Sequence, residues 1–119
     1  MSEEKINVVL EDLHQSCDEI LVSMVTTQDG LAIAYKGRIE DPDYFGAYFA
    51  ELQRVCEKVI NEVDYANVRE VFIRSESGCV CLLPIETKGY LACMSTPKIN
   101  STKLQLLTLR TINRVIRYL

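Results

Sequence analysis

The chain has 119 residues, 48% of them hydrophobic and 25% charged, with a formal net charge of −4. That composition is globular and not disordered, and the length suffices for one domain, residues 1–119, with a core that needs no metal or disulfide staple. The acidic balance argues against binding nucleic acid by bulk electrostatics, and no run approaches the ~20 apolar residues of a membrane span.

The opening "MSEEKINVVLEDL" is acidic and amphipathic, unlike a signal peptide, which places the protein in the cytoplasm. Ile6, Val9, Leu10, Leu13 and Cys17 recur at helical spacing, with Glu3 and Glu4 in the first turn, and predict a helix over residues 2–17. His14, the lone histidine, has no evident partner and reads as structural. "EILVSMVTT" (19–27) and "LAIAYK" (31–36) read as strands, and Asp29-Gly30 between them is a hairpin signal because a tight turn needs positive φ.

Asp41 and Pro42 open a helix running to about Val63. On a helical wheel, Phe45, Phe49, Leu52, Cys56, Val59, Ile60 and Val63 form an apolar stripe, flanked by Tyr44, Tyr48 and Val55, which is expected to pack on the sheet. The opposite half begins with Gly46, Ala47 and Ala50 and continues through Gln53, Arg54, Glu57 and Lys58. Gly in a helix costs ~1 kcal/mol against Ala, so a solvated face gains nothing from it. Small residues spaced by four suit close approach of a second helix, here a copy of the same one across a two-fold axis.

"VREVFIRSE" (68–76), "CVCLLPI" (79–85) and "YLACMST" (90–96) read as three strands of a meander turning at Gly78 and Gly89. The last two are apolar at nearly every position, so helices must cover both faces of the sheet. The first alternates charge (Arg69, Glu70, Arg74) with Val71, Phe72 and Ile73, as an edge strand able to pair with another chain would. Asn100 or Ser101 caps a last helix running to Leu119. It carries a basic stripe of Lys103, Arg110, Arg114 and Arg117 opposite Leu104, Leu109, Ile112, Val115, Ile116 and Leu119, either a solvated face or a docking surface for an acidic partner or anionic membrane. The order is αββαβββα, an α+β fold with a five-stranded antiparallel sheet flanked by helices on both faces.

Chemistry is sparse. No phosphate-binding loop, dinucleotide fingerprint, HExxH or GxSxG is present, and the chain reads as non-catalytic, without cofactor or metal. Glu40, Asp41 and Asp43 read as loop and helix start, acid–base or cation binding being the alternative. Cys17, Cys56, Cys79, Cys81 and Cys93 include no CxxC pair and sit in apolar patterns; buried structural thiols are the main reading, with metal or redox use the alternative. Two further functions stay open: a small-molecule sensor built around Cys79, Cys81, Cys93 and Ser95, and an oxidation switch through Cys79 and Cys81.

"ILVSMVTTQDGLAIAYKG", "GAYFAELQRVCEKV", "VREVFIRSESGCVCLLPIETKGYLACMST" and "INSTKLQLLTLRTINRVIRYL" together resemble the roadblock family, which includes bacterial MglB and the roadblock light chains of dynein. The resemblance implies a roadblock/profilin-like fold with the first and last helices on one face and the central helix on the other. It implies a homodimer, or a pair with another roadblock-family chain, joined through central helices and third strands. On this chain those positions are Gly46, Ala47, Ala50, Arg54, Arg69, Val71 and Ile73. It further implies a platform for a Ras-like small GTPase, extending to promotion of GTP hydrolysis in the manner of MglB. Tyr44, Tyr48 and Glu51, or the basic stripe of Arg110, Arg114 and Arg117, are the expected partner-binding surfaces. The adaptor light chain of a motor complex is the other role the resemblance offers.

Overall fold

The computed structural model describes residues 2–119. Helix α1 spans Glu3–Ser16, strand β1 Ile20–Thr26, β2 Ala32–Lys36, helix α2 Pro42–Glu62, β3 Val71–Arg74, β4 Cys79–Ile85, β5 Gly89–Ser95 and helix α3 Ser101–Val115, closed by a 3₁₀ turn at Ile116–Tyr118. The strands form one antiparallel sheet in the order β2-β1-β5-β4-β3. The expected element order stands, and β3 is indeed an edge. It has four residues, not the nine expected, because the segment before it leaves the ladder, with Asn67 at positive φ.

The two faces of the sheet are covered differently. Cys79, Cys81, Leu83 and Ile85 of β4 and Leu91 and Cys93 of β5 point to one face, where they meet Ile6, Leu10 and Leu13 of α1 and Leu104 and Val115 of α3. The intervening positions, Leu82 and Ala92, join Met24 under Phe49 of α2 on the other. Alternation along a strand buried on both sides explains why the sequence of β4 and β5 is apolar throughout.

The caps are local. Asp41 accepts from the Tyr44 amide at 3.1 Å and Asn100 from the Lys103 amide at 3.0 Å, each filling an orphan donor of a first turn. In α3 the buried side is Leu104, Thr108, Thr111 and Val115, while Leu109, expected in the core, is 48% exposed. Two threonines can be buried there because each hydroxyl donates to a carbonyl of its own helix, Gln105 O and Leu107 O. Leu109 is rotated outward as a result.

The edges of the sheet also differ. The β1–β2 ladder is bulged, with Val25 opposite Ala34 and Thr26 opposite Ala32. At the head of β2 the Ala32 amide donates to Asp43 Oδ1 at 2.7 Å. Bulges and side-chain capping are devices that close an edge to further pairing. The β3–β4 ladder runs in register over all four residues of β3, and among the described residues no side chain caps its outer edge in this way.

Candidate protein interface

The central helix lies the other way round from the sequence expectation. Gly46, Phe49, Ala50 and Gln53 are its buried side. Gly46 sits directly on the β1–β2 turn: a Cβ built there would lie 1.8 Å from the carbonyl oxygen of Gly30, and one on Gly30 2.3 Å from that of Gly46. Gly30 itself has φ +92°, which the hairpin requires. The small residues do permit a close backbone approach, but to this chain's own hairpin. Gly46 and Ala50 are therefore corrected from an outward notch to the inner seat of α2; Ala47 and Arg54 stay exposed.

With that side turned in, most of the stripe expected to meet the sheet is left outside. Phe45, Tyr48, Val55, Val59 and Val63 are 38–60% exposed, and Leu52 is half-buried among them. Positions 45, 48, 52, 55, 59 and 63 are separated by three or four residues, the spacing of a seam along one side of a helix. Over 18 intervals at 1.5 Å the seam is ~27 Å long. Only Phe49 of the expected stripe lies fully inside.

Beside the seam, the C-terminal half of α2 and β3 enclose an apolar cleft of about 600 Å³, lined by Val55, Cys56, Val59, Ile60, Val68 and Val71. Polar contacts hold its two walls in place. Gln53 Nε2 donates to Glu57 Oε1 at 3.1 Å, and the same oxygen accepts from the Val68 amide at 3.1 Å. Ile73, on the outer edge, is 45% exposed, and Arg69 is exposed as well.

At the N-terminal end of α2 the exposed Tyr44 and Tyr48 rings meet edge-to-face with centroids 5.0 Å apart, and their hydroxyls are 3.1 Å apart. That hydrogen bond raises the Tyr44 phenol above its ordinary pKa. Glu51 pairs with Arg54, which lowers its carboxyl pKa, first through the hydrogen bond and then through charge. These residues thus form one surface of aromatic and paired charged groups. The basic stripe of α3 is dispersed by comparison. Arg114 pairs with Asp12 of α1 at 2.9 Å, Arg110 donates to Ser16 Oγ at 3.4 Å, and Arg117 and Lys103 remain exposed.

The residues offered for small-molecule or redox chemistry lie elsewhere. Cys79, Cys81, Cys93 and Ser95 are 1–6% exposed, and the three thiols are packed into the α1/α3 core. Cys81 and Cys93 are directly opposed on β4 and β5, and the hydrogen bond between them, reinforced by burial, pushes the Cys93 thiol well above its ordinary pKa. A buried protonated thiol is the opposite of a reactive one. His14 Nε2 is 2.8 Å from Ser23 Oγ in the seam between α1 and β1, a structural contact the sequence did not reveal. Among the described residues no cluster of three His, Cys, Asp or Glu could hold a metal, and no helix is long and apolar enough to cross a membrane.

The comparisons with known proteins agree with this architecture. A family model described as "Roadblock/LC7 domain" matches residues 6–95. No curated protein matches the sequence. The solved roadblock/LC7 domain from Streptomyces avermitilis is similar at a TM-score of 0.88 and 18% identity, covering 94% of this chain and 95% of that one. MglB of Myxococcus xanthus is similar at 0.88 and 14% identity, covering 99% and 92%. An MglB with a tetrameric arrangement is similar at 0.88 and 14% identity, covering 97% and 88%. At such identities the structural likeness is one of fold.

Proposed function

Since this chain belongs to the Roadblock/LC7 domain family, we propose that it is a non-catalytic, cytoplasmic homodimeric platform that binds a Ras-like small GTPase and regulates or scaffolds it. The observation that carries the reading is the exposed apolar seam of α2, running from Phe45 to Val63 beside the open edge of β3. A single chain leaves this surface in water, where burying apolar area is worth ~25 cal/mol per Å². A second copy across a two-fold axis offers the same seam and the same edge, so one operation covers both. Val71, Ile73 and Arg69 remain in or beside that interface; Ala47 and Arg54, on the flank of α2 with Glu51, and the inward Gly46 and Ala50 do not.

Pairing along the seam takes in Tyr48 at its N-terminal end and leaves Tyr44 and Glu51, with Ala47 and Arg54 beside them, outward on each copy. Tyrosines supply large contact area at low entropic cost and a polar tip, the composition of protein recognition surfaces. The GTPase reading rests on the family, and these surfaces are where we place the GTPase, with Arg117 of α3 the basic alternative. Regulation acts by positioning the GTPase's own groups, including for hydrolysis, because the surface presents phenols and paired charges and not a poised base or nucleophile.

The test is retention of a GTPase by immobilised protein from a lysate of the cells that make it, run with GDP and with a non-hydrolysable GTP analogue. A small GTPase held in one nucleotide state is the expected result and marks a regulator; equal retention in both states marks a scaffold. Retention of motor subunits alone would overturn the GTPase reading in favour of the adaptor role.

A further inference from the structure

The open edge strand carries its own complement. "EVFIR", Glu70 to Arg74, reads acid, β-branched, Phe, β-branched, base. Reversed about Phe72, it sets Val71 against Ile73 and Glu70 against Arg74. We propose that two copies of this chain pair their β3 strands antiparallel with Phe72 on the two-fold axis, and that two Glu70–Arg74 contacts across it select this register and a second copy as the partner. The inference rests on the dimeric reading above and specifies its geometry.

The pleat restricts the choice. For the α2 seams of both copies to meet, they must lie on the same face of the joined sheet, so the axis runs perpendicular to it. Such an axis keeps every side chain on its own face, and directly opposed residues of an antiparallel ladder share a face. Opposed residues therefore differ by an even number, and each register has one residue facing its own copy. Centring on Glu70 or Arg74 opposes like charges at the axis. Centring on Ile73 sets Glu70 against Glu76, and centring on Val71 sets Glu70 against Phe72 and Arg69 against Ile73. Only the Phe72 register opposes Glu70 and Arg74, and it does so twice.

The side chains are placed for it. Phe72 is opposite Cys81 and Arg74 opposite Cys79 on β4, so both lie on the α1/α3 face; Glu70, one residue before the ladder begins, borders both the hollow that Phe72 shares with Ser101, Thr102 and Gln105 of α3 and the cleft beside α2. The Arg74 guanidinium lies over the Phe72 ring, 5.4 Å from its centroid, and donates to Pro97 O at 3.4 Å, so it is already on the required face. Glu70 is exposed and has no ion pair among the described residues. On the α2 face the same register brings the partner's Ile73 opposite Val71 at the wall of the apolar cleft. Directly opposed side chains in such a ladder have Cβ atoms ~5 Å apart, where opposite charges stabilise and like charges destabilise.

Charge exchange tests the register. Glu70→Arg alone puts Arg against Arg twice, and Arg74→Glu alone puts Glu against Glu twice. Each single variant is expected to dimerise about tenfold more weakly by sedimentation equilibrium, with a deficit that shrinks at high salt. An equimolar mixture of the two singles restores both opposite-charge contacts and is expected to yield heterodimers at wild-type affinity by native mass spectrometry. The double variant Glu70→Arg/Arg74→Glu is expected to recover the homodimer. A dimeric wild type whose single variants are unaffected, or whose mixture and double variant fail to recover, overturns the register alone. A monomeric wild type overturns the dimeric reading and the register with it.

Discussion

At Gly46, helix propensity and contact geometry point in opposite directions. In a free helix, Gly→Ala would gain ~1 kcal/mol. Here the added methyl meets the backbone carbonyl of Gly30, which has no rotamer by which to withdraw. Overpacking of this kind costs ~1–3 kcal/mol, so Gly46→Ala is expected to destabilise the protein, by ~2 kcal/mol in urea unfolding. A stabilised variant would show that α2 does not rest on the hairpin. His14 gives a pH dependence whose sign follows from its surroundings. Burial, opposed by Glu11 and aided by Lys36, holds its imidazole below the ordinary 6.5. The unfolded chain takes up the proton near pH ~6.5 and the folded chain only below it, so between those values the unfolded state binds more protons. Stability from this group is complete above pH ~6.5 and declines as the pH falls toward the folded value. His14→Gln is expected to flatten the dependence of urea stability on pH below ~6.5, and an unchanged slope would assign it to other groups.

At the scale of the element, α2 has two apolar sides and one polar one. The sequence shows both apolar sides but not which of them meets the sheet, since hydropathy ranks faces without naming what covers them. Hydropathy alone turns the larger stripe inward, whereas the structure seats the smaller one, Gly46–Phe49–Ala50–Gln53, on the sheet. The costly glycine was the usable signal: together with the positive-φ Gly30 it marks two backbones in contact within one chain. The same ambiguity moved Leu109 of α3 outward, because hydroxyls satisfied within a helix make Thr108 and Thr111 as buriable as leucine. The two sides of α2 now separate experimentally. Val59→Arg places a charge in the exposed seam and is expected to give a folded monomer by light scattering and circular dichroism. Ala50→Arg forces a guanidinium under the helix, where Ala50 is 2% exposed, and is expected to unfold the chain. The reverse pattern would restore the orientation read from the wheel.

For the whole molecule, the element order, the hairpin at Gly30 and the burial of β4 and β5 on both faces were all legible, because turn chemistry and strand period are local properties. The surface left for a partner was not, since it depends on how the helices rotate once packed. One further consequence follows from the unequal sheet margins. A building block with two adhesive sides polymerises without limit, whereas one with a single such side stops at two. Asp43 on the amide of Ala32, together with the β2 bulge, obstructs one margin, while β3 keeps the other available. The protomer is thereby close to monovalent in strand pairing, and its assembly by that route terminates where an open-ended fibre would otherwise begin.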